Sequence, residues 1–90
     1  MARILIVDDE QSIRETLREI LEYEGYEIEE AEDGDKALSL IKKFNYDAVL
    51  ADIKMPKLDG LELLEKAKEI APELPIIMIS GHGTNETAVE

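Results

Sequence analysis

Asp8, Asp9 and Asp52 are the residues whose type and placement can do chemistry. Each falls at the end of a short apolar run, where a buried strand would stop. Carboxylates brought together there repel one another, and the simplest remedy is a divalent cation. Hard oxygen ligands with room left for water suit Mg²⁺. A Mg²⁺ ion held by one or two carboxylates keeps positions open for phosphoryl oxygens. It can then neutralise charge as phosphorus transfers to a carboxylate oxygen. Taken singly, the same residues have plainer uses. An acidic pair after a strand suits a helix cap, and a lone aspartate suits a turn.

The elements that must position them follow from periodicity. Residues 3–7 form a continuous apolar run ending at Asp8-Asp9. Residues 11–24 carry Ile13, Leu17, Ile20 and Leu21 at helical spacing. Ser12 and Glu15 have capping-box spacing, and Gly25 is a stop. Residues 26–31 read as a strand, with Tyr26 and Ile28 on one face. Asp33-Gly34 is a turn with Asp33 as N-cap. Residues 35–44 place Ala37, Leu38, Leu40, Ile41 and Phe44 on a helical stripe. Residues 47–51 are a third strand, with Asp52 at its end. A loop containing Pro56 leads into a helix over 60–70, with Leu61, Leu64, Ala67 and Lys68 roughly aligned, and Pro72 ends it. Residues 75–80 are a fourth apolar strand. Residues 81–83 form a turn, and 84–90 read as the start of a fourth helix.

Strands alternating with helices of this length imply right-handed parallel crossovers and an α/β sheet. Strands that are nearly all apolar suit a sheet covered on both faces. The expected architecture is a flavodoxin-like, doubly wound parallel sheet of order 2-1-3-4. That order makes the first and third strands neighbours at the switch point and gathers the three carboxylates in one pocket.

Composition bounds the rest. Ninety residues make one domain at most. With no cysteine, disulfides and thiolate metal sites are excluded. Ten basic residues against 22 acidic ones give a net charge of -12. Such a balance argues against direct binding to a nucleic-acid backbone and suits cations or basic partner surfaces. No apolar run reaches the length of a membrane span, and the N-terminus does not read as a signal peptide. The expected location is the cytoplasm.

Three segments carry a family likeness. Val7-Asp8-Asp9-Glu10, then Asp52-Ile53-Lys54-Met55-Pro56-Lys57-Leu58-Asp59-Gly60, then Ile79-Ser80-Gly81-His82-Gly83 together resemble the receiver domain of two-component response regulators. The middle segment is the most specific, and the last is most similar to receivers of NtrC-like transcriptional regulators. The likeness runs over residues 1–90.

The resemblance implies that Asp52 is the phosphoacceptor, served by a histidine kinase or a phosphotransfer protein. It implies that Asp9 ligates Mg²⁺ directly, Asp8 partly through water, and that Asp52 and the backbone carbonyl of Lys54 complete the protein ligands. Ser80 matches the hydroxyl that contacts the phosphoryl group. Met55 and Pro56 shape the loop beside the acceptor, and Asp59-Gly60 turn the chain into the third helix. His82 is expected to be a loop residue, and Tyr23, Tyr26 and Tyr46 packing and edge residues. The implied role is a phosphoacceptor signalling domain rather than an enzyme, limited to taking a phosphoryl group and losing it by hydrolysis.

The expectation is an incomplete receiver domain over residues 1–90, ending within the fourth helix and lacking the fifth strand and fifth helix. No lysine follows Lys68 in residues 1–90, so the expectation is that the family's phosphoryl-pairing lysine has no counterpart among them. A bare fourth strand predicts a homodimer or higher oligomer through Ile76, Ile77, Met78 and Ile79. Two other readings stay open on sequence alone. One is a self-associating fragment, natural or engineered, without signalling activity. The other is a bare Mg²⁺ or Ca²⁺ site without phosphotransfer.

Overall fold

A computed structural model describes residues 2–53 and 60–79. Strand β1, Arg3–Val7, pairs in parallel with β2, Glu27–Ala31, and with β3, Ala48–Asp52. Strand β4, Ile76–Ile79, adds in parallel to β3. The sheet order is therefore β2-β1-β3-β4, the expected 2-1-3-4. Helix α1, Gln11–Tyr23, links β1 to β2; α2, Gly34–Lys43, links β2 to β3; α3, Gly60–Ile70, lies between β3 and β4.

The central strand explains the two-layered core. Residues alternate between the two faces of a strand. Leu5 and Val7 join Val49, Ala51 and Ala31 under Ala37 and Ile41 of α2 and Leu63 and Ala67 of α3. Ile4 and Ile6 join Ile28 under Leu17 and Leu21 of α1. Leu5, Ile6 and Val7 are wholly buried. Each such side chain contributes about 1.5–3 kcal/mol relative to exposure. That burial anchors the strand whose end carries Asp8.

Local chemistry sets the helix ends. The Asp33 side chain accepts from the Lys36 N–H at 2.8 Å and caps α2, as its position predicted. Gly25, at φ +98°, closes α1. Its N–H donates to the Glu22 carbonyl, and the Tyr26 N–H donates to that of Leu21, the paired bonds of a Schellman motif.

The Ser12–Glu15 capping box does not form. The N-cap of α1 is Glu10, so Ser12 already lies inside the helix, where its carbonyl accepts from Thr16 Oγ1. Glu15 accepts from Gln11 instead. The helical stripes are also narrower than predicted. Ile20 is 55% exposed, and Phe44 is an extended, exposed C-cap rather than part of α2. Tyr26 precedes β2 and is exposed, while Ile28 is buried. Tyr23 is exposed, whereas the Tyr46 hydroxyl donates to a Glu29 carboxylate oxygen at 2.8 Å.

Helix α3 has the predicted bounds but presents another face. Gly60, Leu63 and Ala67 are buried, while Leu61 is 57% exposed and Lys68 is exposed. Gly60 sets this phase. Its N–H donates to the Ile53 carbonyl at 2.9 Å, just past the end of β3. A Cβ there would meet the Asp52 backbone oxygen and lie 2.5 Å from Met78 Cε. Only glycine lets the helix start this close to the β3 terminus.

Gly60→Ala is expected to lose about 1–3 kcal/mol in urea unfolding, the usual cost of overpacking. Leu61→Ala, on the exposed face of the same helix, is expected to shift stability by about 0.5 kcal/mol or less. Equal stability of Gly60→Ala and the parent would show that the strand end relaxes to admit the methyl group.

Candidate functional site

The parallel register brings the strand ends together. Val7 of β1 pairs with Ala51 of β3, so the next residues, Asp8 and Asp52, emerge side by side. Asp8 is held on its other flank by its N–H, which donates to the Ala31 carbonyl of β2 at 3.1 Å. Asp52 is flanked by β4, where it pairs with Ile79, and the Ile53 N–H donates to the Ile79 carbonyl at 3.0 Å. Asp8 and Asp52 are wholly buried and Asp9 is exposed. One carboxylate oxygen from each of the three lies within 4.8 Å of the others.

This cluster is electrostatically awkward. Burial pushes the Asp8 carboxyl above the ordinary carboxylate range. The Glu10 N–H, donating to Asp8 Oδ1 at 2.9 Å, opposes that shift, and the charges of Asp52, Asp9 and Glu10 add to it. Asp8 Oδ2 is buried with no hydrogen-bond partner among the described residues. A buried acceptor without a donor calls for an explanation. Oxygen donors from three carboxylates, one of them an orphaned acceptor, fit a hard divalent cation.

Behind the acid pair stands a charged network that sequence reasoning missed. Arg14 Nε donates to Glu30 Oε1 at 2.9 Å, and Arg14 Nη1 donates to the backbone carbonyl of Asp8 at 2.7 Å. Arg18 Nη1 donates to the other Glu30 oxygen, and its Nη2 to the Ile28 carbonyl. Burial would raise the Glu30 carboxyl, but the hydrogen bonds from Arg14 and Arg18 outweigh it and hold it below the ordinary value. A signal existed: Arg14 and Arg18 are one helical turn apart, so they share a face of α1.

Of the residues expected from sequence, Asp8, Asp9 and Asp52 come together, and Gly60 sits against the Asp52 backbone. Lys54, Met55, Pro56, Asp59, Ser80 and His82 lie outside the described residues, as does the expected fourth-helix start.

Comparison with known proteins gives a consistent picture. The profile of the response regulator receiver domain matches residues 4–90. The response regulator MprA of Mycolicibacterium vanbaalenii is 45% identical over 78 residues, covering 87% of this chain and 34% of that protein. The chain thus spans about a third of the length of the curated relatives it matches. The Thermotoga maritima response regulator TrrA, solved in complex with Mg²⁺-BeF, superposes with a TM-score of 0.88 at 44% identity, covering 92% of this chain and 72% of that one. A structure of the histidine kinase ThkA in complex with TrrA contains a chain that superposes with a TM-score of 0.87 at 42% identity, covering 99% of this chain and 77% of that one.

The raised Asp8 carboxyl has a stability consequence with a definite sign. Above the ordinary carboxylate value the folded chain holds its proton longer than the unfolded chain does. Stability therefore falls as pH rises from that value through the higher folded one. Asp8→Asn is expected to raise Tm of the metal-free protein at pH 7, with the gain shrinking towards pH 3. Thermal melts in a chelating buffer check it, and a lower Tm for Asp8→Asn at pH 7 would contradict the burial argument.

Proposed function

Because the chain belongs to the response regulator receiver domain family, we propose that it accepts a phosphoryl group on Asp52 from a histidine kinase or phosphotransfer protein. The observation that carries this is the buried Asp52 carboxylate at the end of β3, with oxygens of Asp8 and Asp9 within 4.8 Å. The family is a signalling domain rather than an enzyme family. The solved complex of ThkA with TrrA supports a kinase as the donor.

The receiver-domain match over residues 4–90 supports this reading. Asp8, Asp9 and Asp52 would hold Mg²⁺, with the Lys54 backbone carbonyl as a further ligand. The TrrA complex with Mg²⁺-BeF supports that choice of ion. When bound, Mg²⁺ supplies positive charge against the phosphoryl oxygens during transfer. An Asp52 carboxylate oxygen attacks phosphorus in line with the leaving nitrogen of the donor phosphohistidine. The P–O bond forms as the P–N bond breaks, and the imidazole leaves with its electron pair and takes up a proton. Ser80 donates its hydroxyl hydrogen to a phosphoryl oxygen. The family resemblance supports assigning Met55, Pro56, Asp59 and Gly60 to shaping the loop beside the acceptor. Water later hydrolyses the acyl phosphate.

Intact mass spectrometry tests this. The protein is incubated with Mg²⁺ and a small phosphodonor. One added phosphoryl group is expected, with none on Asp52→Asn and little without Mg²⁺. A folded parent protein that gains no mass would sink the proposal and favour a fragment without signalling activity.

The proposed setting is the cytoplasm, without nucleic-acid contact, given a net charge of -12. No described helix is long and apolar enough to cross a membrane. Self-association through β4 completes the proposal. Among the described residues β4 pairs with β3 alone, and Ile77 is 51% exposed. Leu50 and Ile79 beside it are only partly buried. An edge of this kind pairs readily with its equal in another copy. Light scattering on a sizing column is expected to give a dimer or larger species that Ile77→Lys returns to monomer. A parent protein monomeric at micromolar concentration would end that part of the reading.

A further inference from the structure

The Asp8 carbonyl lies one residue past the last β1–β2 ladder pair, Val7 with Ala31. The acceptor is satisfied instead by a side chain, Arg14 Nη1 at 2.7 Å. The same guanidinium reaches Glu30 of β2 through Nε at 2.9 Å. Arg14 and Glu30 are mostly buried, with side chains 13% and 20% exposed. Arg18 holds the other Glu30 oxygen and the Ile28 carbonyl but no atom of the acid pair.

We propose that Arg14 is a positioning residue for the metal site, fixing the Asp8 backbone by a fork between the Asp8 carbonyl and Glu30. This rests on the Mg²⁺ reading of the pocket given above. Glu30 neutralises Arg14, so the guanidinium does not compete with a cation for the three carboxylates. What Arg14 contributes is geometry. Its two donor nitrogens bind two acceptors at once, one on β2 and one just past the end of β1, which an ammonium at the end of a flexible stem does not reproduce. With the Asp8 carbonyl tied down, the Asp8 side chain stays where the Glu10 N–H meets Oδ1, and Oδ2 keeps no hydrogen-bond partner among the described residues. Partners that orient metal ligands commonly change metal affinity about 10–100-fold when removed.

The test compares the 90-residue chain with Arg14→Lys, which keeps the charge beside Glu30 and with it the fold, and with Arg18→Ala, which weakens the same network away from Asp8. Two quantities are measured by amide NMR on proteins shown to be folded. One is Mg²⁺ affinity, from titration with the metal alone. The other is hydrogen exchange of the Glu10 N–H in metal-free protein. Arg14→Lys is expected to bind Mg²⁺ about ten-fold more weakly and to exchange the Glu10 N–H faster. Arg18→Ala is expected to lose stability yet bind Mg²⁺ close to the parent. Parental Mg²⁺ affinity or unchanged Glu10 protection in Arg14→Lys would overturn the inference. So would an equal loss of affinity in Arg18→Ala, which would mean that the network acts through stability alone. A parent chain that shows no saturable Mg²⁺ response would instead overturn the metal reading itself, and the parent titration tells that failure apart from the others.

Discussion

Two wholly buried carboxylates, Asp8 and Asp52, stand side by side at the ends of adjacent parallel strands, and much of the structure follows from keeping them there. Burial of a charge without compensation is costly. The Asp8 carboxyl is accordingly raised, by burial first and by its neighbours' charges next. A site of this kind persists only if the surrounding frame is stable enough to tolerate it. The frame is β1, whose Leu5, Ile6 and Val7 are wholly buried between helices on the two faces. The same strand supplies stability along its length and carries the electrostatically costly carboxylate at its end.

The approach of the other elements is fitted to that end. Gly60 starts α3 against the backbone of Asp52, where a methyl group would find no room. Leu63 and Ala67 then bury on the sheet because the helix phase is fixed at Gly60, which leaves Leu61 outside. On the other side Arg14 and Arg18 tie α1 to the end of β2 through Glu30. The acid pair is thus flanked by backbone bonds from β2, by the α1 network and by the β3 terminus. Its geometry is built into the scaffold rather than left to a surface loop.

The chain belongs to the receiver domain family, and this division of labour suits the acceptor site proposed above. The carboxylates provide a concentrated negative pocket, and a net charge of -12 deepens the field that draws cations in. The side-chain carboxylates that the two arginines of α1 engage are Glu30 and Glu22, not those of the pocket, where Arg14 meets only the Asp8 backbone carbonyl. The cluster therefore keeps its demand for a cation.

The sequence by itself determined the order of elements, the sheet order and the identity of the acid cluster. Those features are local or nearly so: apolar runs give strands, 3.6-residue periodicity gives helices, Asp33 caps α2, and Gly25 stops α1. Alternation of strands and helices then leaves few topologies. Tertiary structure decided what depends on contacts between distant segments. The buried face of α3 followed from the close approach of Gly60 to Asp52, not from the spacing of its leucines. Helix α1 starts at Gln11, as periodicity implied, but its N-cap is Glu10, whose N–H donates to Asp8, and the capping box of Ser12 and Glu15 does not form. Arg14 acquires its role only in the fold, which sets Glu30 and the Asp8 carbonyl within its reach. Periodicity shows which side of a helix turns inward, but only the folded chain shows which distant group waits there.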